Sequence, residues 1–256
     1  MTARDIFSVS GQVVCISGAS RGLGKGLARM FAERGARVVI AAPEQGELAA
    51  AQAELAAAGL DVAALPADVA DPASCAALVD RTIEKFGRID TLICNAGIDK
   101  IKPAEAYEND EWDRILDVNL KGVYFCAKAA AQAMLAAGKG SIIVTSSIAG
   151  RSGIPGLVPY AASKGGIDQL VRTMAVEWAQ CGVRVNAVAP GYINNFMDGV
   201  EAASASPYQQ RAMARTPMGR RGEIAEFGGA YLYLASEASS YTTGAVLYVD
   251  GGYSAA

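Results

Sequence analysis

Val13-Val14-Cys15-Ile16-Ser17 runs straight into Gly18-Ala19-Ser20-Arg21-Gly22-Leu23-Gly24, and the reading of this stretch decides the fold. A β-branched apolar run ends at a glycine-rich turn, and an Ala- and Leu-containing segment begins at once. Glycines let a chain turn tightly. They also let a pyrophosphate approach a helix N-terminus, where unpaired N–H groups and the dipole favour anions. The spacing is G-x-x-x-G-x-G rather than the G-x-G-x-x-G of the common dinucleotide fingerprint. The plain alternative is a β–α turn that holds no ligand.

The pattern continues outward from this turn. Short apolar runs at 13–17, 37–41, 62–66, 91–94, 141–146, 184–189 and 245–249 alternate with longer helix-like segments. Those segments are 23–34, 44–58, 72–86, 109–137, 160–180 and 223–235, rich in Ala, Leu and Glu. Gly35, Gly59, Gly87, Gly138 and Gly182 stand where helices end. Alternation of this kind predicts βαβ units around a buried parallel sheet. The fold class is therefore α/β: one doubly wound, Rossmann-like domain over residues 1–256. The irregular stretch 190–221 reads as a substrate lid, since long loops in compact domains are usually functional.

Composition excludes several functions. There is no His, so a Ser-His-Asp hydrolase, a His base and a His-ligated metal site are all ruled out. The five cysteines, Cys15, Cys75, Cys94, Cys126 and Cys181, form no C-x-x-C pair and indicate neither disulfides nor zinc; no metal is expected. A net charge of −3, with 23 basic and 26 acidic residues interspersed, gives no nucleic-acid footprint. No apolar run suits a membrane span and the N-terminus does not read as a signal peptide, so a reducing cytoplasm is expected.

Tyr160-Ala161-Ala162-Ser163-Lys164 carries the chemistry. It places a phenol and an ammonium one helical turn apart, on one face. A fixed positive charge beside a phenol favours phenolate and lowers its pKa, which would make Tyr160 a proton donor and acceptor near neutrality. The pair Ser146-Ser147 ends the strand just upstream. Adjacent strand residues point to opposite faces, so one of the two should reach the site.

With these elements in order, the chain resembles the short-chain dehydrogenase/reductase family over nearly its full length. The glycine turn, Asp68-Val69, Asn95-Ala96-Gly97, Asn119, Ser147, Tyr160 with Lys164, and Pro190-Gly191 follow the family's sequence of motifs. The resemblance implies a seven-stranded parallel sheet with helices on both faces. It also implies hydride transfer between a nicotinamide and a carbonyl or carbinol carbon. Tyr160 would exchange the hydroxyl proton, and Lys164 would lower its pKa and hold the nicotinamide ribose. Ser147, selected over Ser146 by its spacing to Tyr160, would hydrogen-bond the substrate oxygen. Asn119 would hold a relay water, with a mid-helix Asn bonded to backbone as the plain alternative. Cofactor contacts would come from Gly18, Ser20, Arg21, Gly22, Leu23, Gly24, Asp68, Val69, Asn95, Ala96, Gly97, Tyr160, Lys164, Pro190, Gly191, Ile193 and Asn195. Cys94, where the family often has Asn, reads as core packing.

The end of the second strand is Ala42-Pro43, with no carboxylate to bind a ribose 2′-hydroxyl. Arg21 resembles the basic residue of NADP-dependent relatives, and Glu44 could still reach a ribose; the reading is NADP, with NAD as the alternative. The segment Trp178-Ala179-Gln180-Cys181-Gly182 lacks the basic residue common in acyl-carrier-protein reductases, although Lys139 and Arg172 remain possible anchors. The polar lid residues Tyr192, Asn194, Asn195 and Asp198, beside Phe196 and Met197, suit a sugar, sugar acid, polyol or hydroxy ketone. Alternatives are a 3-oxoacyl thioester reductase and a non-catalytic cofactor-binding sensor. A homotetramer is expected from the resemblance. Apolar residues on several sides of two helices (Val123, Phe125, Ala129, Ala133; Leu170, Met174, Trp178) and an apolar tail at 249–256 agree with it.

Overall fold

The structure, a computed structural model, describes residues 5–194 and 212–256. Seven strands form one parallel sheet: β1 (Val13–Ser17), β2 (Arg37–Ala41), β3 (Val62–Ala64), β4 (Thr91–Cys94), β5 (Gly140–Thr145), β6 (Val183–Pro190) and β7 (Val246–Val249). Their order is β3-β2-β1-β4-β5-β6-β7, every pair parallel. Among the described residues, the helices used below are α1 (Gly22–Glu33), α2 (Gln45–Ala57), α3 (Pro72–Phe86), α4 (Asn109–Leu116), α5 (Gly122–Ala137), α6 (Val158–Trp178) and α7 (Ile224–Ala235).

The strands are apolar on both faces because both faces are covered. Val14, Ile16, Val38, Ile40, Ile93 and Ile143 pack with Leu27, Phe31 and Tyr231 of α1 and α7. Their alternates Cys15, Val39, Leu92, Cys94, Ile142 and Val144 pack with Leu78, Cys126, Met134, Ile167 and Val171 of α3, α5 and α6. The period of two in the strands thus divides the core into two layers. Cys94 is buried in the second layer, as a small apolar residue would be.

Most expected elements fall within two residues of their places, and the five expected helix-end glycines carry φ between 66° and 79°. One expectation fails. Residues 109–137 are not one helix: a π-turn at Asp117–Lys121 separates α4 from α5. The helix widens there because Asn119 turns inward and Gly122 packs tightly on α3's approach. A Cβ at Gly122 would stand 2.6 Å from the Val69 carbonyl oxygen. Such π-turns are uncommon and concentrate at functional sites.

Because β2 and β3 lie on one side of β1 and β4 lies on the other, the chain reverses direction across the sheet between β1 and β4. In open α/β sheets the crevice at that point, beyond the strands' carboxyl ends, is where ligands bind. Here Ser17, the last residue of β1, ties the two strand ends together: its Oγ accepts from the N–H groups of Asn95 (3.1 Å) and Ala96 (3.2 Å).

Candidate active site

The glycine turn is shaped for an anion. Gly18 takes φ 64°, and a Cβ there would lie 2.5 Å from the Cα of Ala96. A Cβ on Gly24 would lie 2.2 Å from the Gly18 carbonyl oxygen and 2.6 Å from Asn95 Nδ2. Asn95 Nδ2 donates to that same carbonyl at 2.9 Å, and Asn95 Oδ1 accepts from Thr145 Oγ1 at 3.3 Å. The Asn95 side chain therefore clamps the turn to β5 rather than reaching outward. Arg21, the residue before α1, gives the helix no side-chain cap, so the first N–H groups of α1 have no such partner. Close-packed backbone, a helix N-terminus without a side-chain cap and a crevice at the sheet reversal together fit a dinucleotide pyrophosphate.

The turn opens into a cavity of about 600 Å³. Every expected cofactor residue among the described ones lines it, and Ser147 does too. Asn195, with Phe196, Met197 and Asp198, lies outside the described residues. Beside the turn, Ser20 Oγ donates to Glu47 (3.2 Å) and Arg21 Nη1 to the same carboxylate (3.4 Å). Glu44, which the sequence offers for the ribose, lines the cavity as well, and Glu47 is a second carboxylate that the sequence did not single out. One turn into α2, Glu47 swings back over the loop; its place in the helix's first turn was the available signal. Asp68 lines the same cavity and pairs with Arg114 at 3.4 Å.

At the other end of the cavity, Ser146 and Ser147 diverge. Both line the cavity, but Ser146 Oγ donates at 2.6 Å to the buried Asp168, which does not. Ser147 Oγ accepts from the Ala149 N–H (3.1 Å) and lies near enough to the Tyr160 phenol to favour its ionised form. Lys164, almost wholly buried, donates to the Thr145 carbonyl at 2.8 Å and sits 5.4 Å from the centre of the Tyr160 ring. The phenol, Ser147 and Lys164 thus converge.

The electrostatics differ from the expectation. Burial pushes the Tyr160 phenol up to about 12, opposed by the Ser147 hydroxyl, with Asp99 adding to the rise. Burial also lowers Lys164 to about 8, opposed by Asp168 and Asp99. The Lys164 ammonium donates to a backbone carbonyl, and desolvation is the largest influence on both groups.

Asn119 lies beneath this end rather than in the cavity lining. Its Oδ1 accepts from the Ile98 N–H and its Nδ2 donates to the Ile98 carbonyl, both at 2.9 Å, with a further contact to Ser163 Oγ at 3.3 Å. The side chain bonds backbone, as the plain alternative held, and fixes the loop after β4. That loop brings in a residue missed from sequence, Asp99, whose carboxyl burial pushes up to about 6. Of the possible acyl-carrier anchors, Lys139 pairs with Glu237 and does not line the cavity, nor does Arg172. No group of His, Cys, Asp or Glu among the described residues could hold a metal ion.

Comparison with known proteins agrees with this geometry. The family model described as enoyl-(acyl carrier protein) reductase matches residues 18–254. The cis-4-hydroxycyclohexanecarboxylate dehydrogenase of Sinomonas cyclohexanicum is 41% identical over 245 residues, covering 95% of this chain and 97% of that one. A sorbose reductase of Candida albicans is 37% identical, covering 97% and 89%. A crystal structure of a gluconate 5-dehydrogenase from Burkholderia cenocepacia, in complex with NADP and tartrate, superposes with a TM-score of 0.92 at 36% identity, covering 98% of each chain.

Proposed function

The chain belongs to the short-chain dehydrogenase/reductase family, and we propose that it is an NADP-dependent oxidoreductase acting on a carbinol or carbonyl carbon of a small polar substrate. The class is a sugar, sugar acid, polyol or hydroxy ketone. One observation carries the reading: a pyrophosphate cradle and the Ser147–Tyr160–Lys164 cluster open into the same cavity. Relatives named for sorbose, gluconate and a hydroxycyclohexane acid support the substrate class.

When bound, the nicotinamide supplies the hydride acceptor or donor. The chain supplies the rest. The Gly18–Gly24 turn and the start of α1 would hold the pyrophosphate, with Asn95, Ala96 and Gly97 beside it and Asp68 and Val69 at the adenine. Pro190, Gly191 and Ile193 would wall the nicotinamide side. Arg21 offers a cation to a ribose 2′-phosphate, which supports NADP over NAD. Tyr160 exchanges the proton at the substrate oxygen, and Ser147 donates to that oxygen as negative charge develops on it. Lys164 holds the ribose. Asn119 keeps its role at the relay water through the main chain of the π-turn, since its side-chain amide is already occupied.

We also read residues 1–256 as one domain, with the lid at about 190–221, working in the cytoplasm as a homotetramer. Support for assembly comes from the groove on α4, the π-turn, α5 and α6, where Leu116, Leu120, Tyr124 and Leu170 leave apolar surface. Trp112 and Tyr124 are exposed on this side, whereas Val123 and Met174, counted from sequence toward an interface, are core. Light scattering at micromolar concentration should give a mass near four subunits, and a monomer would remove this part of the reading.

The test of function is a panel assay following nicotinamide absorbance, with both cofactors, against polyols, sugars, sugar acids and 3-oxoacyl thioesters. Turnover of polyols or sugar derivatives with NADP is expected. Turnover confined to thioesters would replace the reading with acyl reduction, and none at all would reject it.

A further inference from the structure

Asp99 follows directly on Gly97-Ile98, where the chain leaves β4, and lies in the cavity wall. It is half-buried, and its charge is felt by both Tyr160 and Lys164, so it faces the reacting end. Its Oδ1 accepts from the Lys100 backbone N–H at 2.7 Å. Among the described residues no cationic side chain forms an ion pair with it. The neighbouring cations bond other groups: Lys164, whose charge reaches Asp99, donates to the Thr145 carbonyl, Lys100 and Lys102 bond Glu111, and Arg114 pairs with Asp68. Around it the wall is apolar, formed by Ile101, Ile154 and Leu157.

A carboxylate so placed has lone pairs to spare. A substrate hydroxyl near the reacting carbon would satisfy one of them. A substrate carboxylate in the same position would meet a like charge across apolar surroundings, where electrostatic effects are larger than in water. On the lid side, the cavity cation Arg221 donates to the Ile193 carbonyl at 3.0 Å.

Building on the oxidoreductase reading above, we propose that Asp99 is a specificity-determining residue that accepts a hydrogen bond from a second hydroxyl of a neutral polyol or ketose and turns away sugar acids. The chain would then differ in substrate charge from its gluconate-oxidising relative, despite the shared fold.

The test compares wild type with Asp99→Asn on matched hexitols and hexonates, with NADP saturating. Wild type should favour hexitols in kcat/KM by about tenfold or more, the range a site built around a substrate hydroxyl commands. Asp99→Asn should lose about tenfold on hexitols, mostly through KM, and gain on hexonates, so that the preference narrows or inverts. NADPH affinity, read by fluorescence titration, should stay within about twofold and report that the variant is folded. A hexitol-to-hexonate ratio unchanged by Asp99→Asn, or a wild type that favours hexonates, would overturn the role of Asp99 and leave the oxidoreductase reading standing. Failure of wild type to oxidise either class, or any other member of the wider panel, would remove both.

Discussion

The Lys164 ammonium donates to the Thr145 carbonyl at 2.8 Å while its charge lies 5.4 Å from the centre of the Tyr160 ring. This lysine is thus held by strand backbone, and its buried charge is a cost to the fold. Its pKa falls from 10.5 to about 8, chiefly through burial.

The sign of the resulting pH effect follows from that shift. Above 10.5 the lysine is neutral in both folded and unfolded chains. Between about 10.5 and 8 the unfolded chain binds the proton first, so stability falls as pH falls. The full effect is about 3 kcal/mol. Denaturation of wild type and Lys164→Met across pH 7–11 should give a difference curve in which the wild type gains relative stability as pH rises through this window. Other groups titrate there in both proteins and cancel in the difference. A flat difference curve would show that the ammonium is not desolvated.

Tyr160 carries the opposite shift. Its phenol, pushed up to about 12, should remain protonated in the cofactor-free protein at neutral pH. Near-ultraviolet titration of wild type against Tyr160→Phe should show no phenolate from this residue below about pH 10. The same variant should lose about 10³-fold in turnover and keep its cofactor affinity, because only the proton-exchanging oxygen is removed. Retention of a tenth of the wild-type rate would remove Tyr160 from the chemistry.

The two serines should separate cleanly. Ser147→Ala should lower kcat by about 10²-fold, the usual consequence of losing a donor to a developing oxyanion. Ser146→Ala should leave kcat within a few-fold and cost about 1–3 kcal/mol of stability, because Asp168 loses its 2.6 Å donor in a buried setting. Equal kinetic losses from both would contradict the divergence of their side chains.

Cofactor choice turns on the exposed Arg21–Glu47 contact at 3.4 Å. Exposed pairs of this kind are worth at most about 1 kcal/mol, so removing the carboxylate can sharpen NADP binding only a few-fold. Glu47→Gln should therefore lower KM for NADP modestly. Arg21→Ala should raise it by about tenfold or more and barely alter KM for NAD. Ala42→Asp should shift preference toward NAD through repulsion of the 2′-phosphate. Equal responses of the two cofactors to Arg21→Ala would defeat the assignment.

The alternation of short β-branched runs with Ala- and Leu-rich segments determined the parallel sheet, and the Gly18–Gly24 spacing placed the turn at its carboxyl edge. Both are local: a period of two, a helix-ending glycine and a turn without room for a Cβ are written in neighbouring residues. The order Ser147, Tyr160, Lys164 was legible for the same reason, since thirteen residues and one helical turn bridge one strand end to one helix.

Tertiary structure alone decided the rest. Whether a neighbouring ammonium or desolvation governs the Tyr160 phenol depends on what surrounds both groups, and burial prevailed. Val123 and Met174 proved to be core because the helix faces they occupy meet the sheet, which an all-round apolar pattern does not reveal. The π-turn at Asp117–Lys121 answers to the Ile98 backbone, about twenty residues earlier in the chain. Glu47 and Asp99 entered the cavity through the path of α2 and of the loop after β4. Sequence carries periodicity and short-range geometry; distance between remote segments, and the solvent each side chain loses, exist only after the chain has folded.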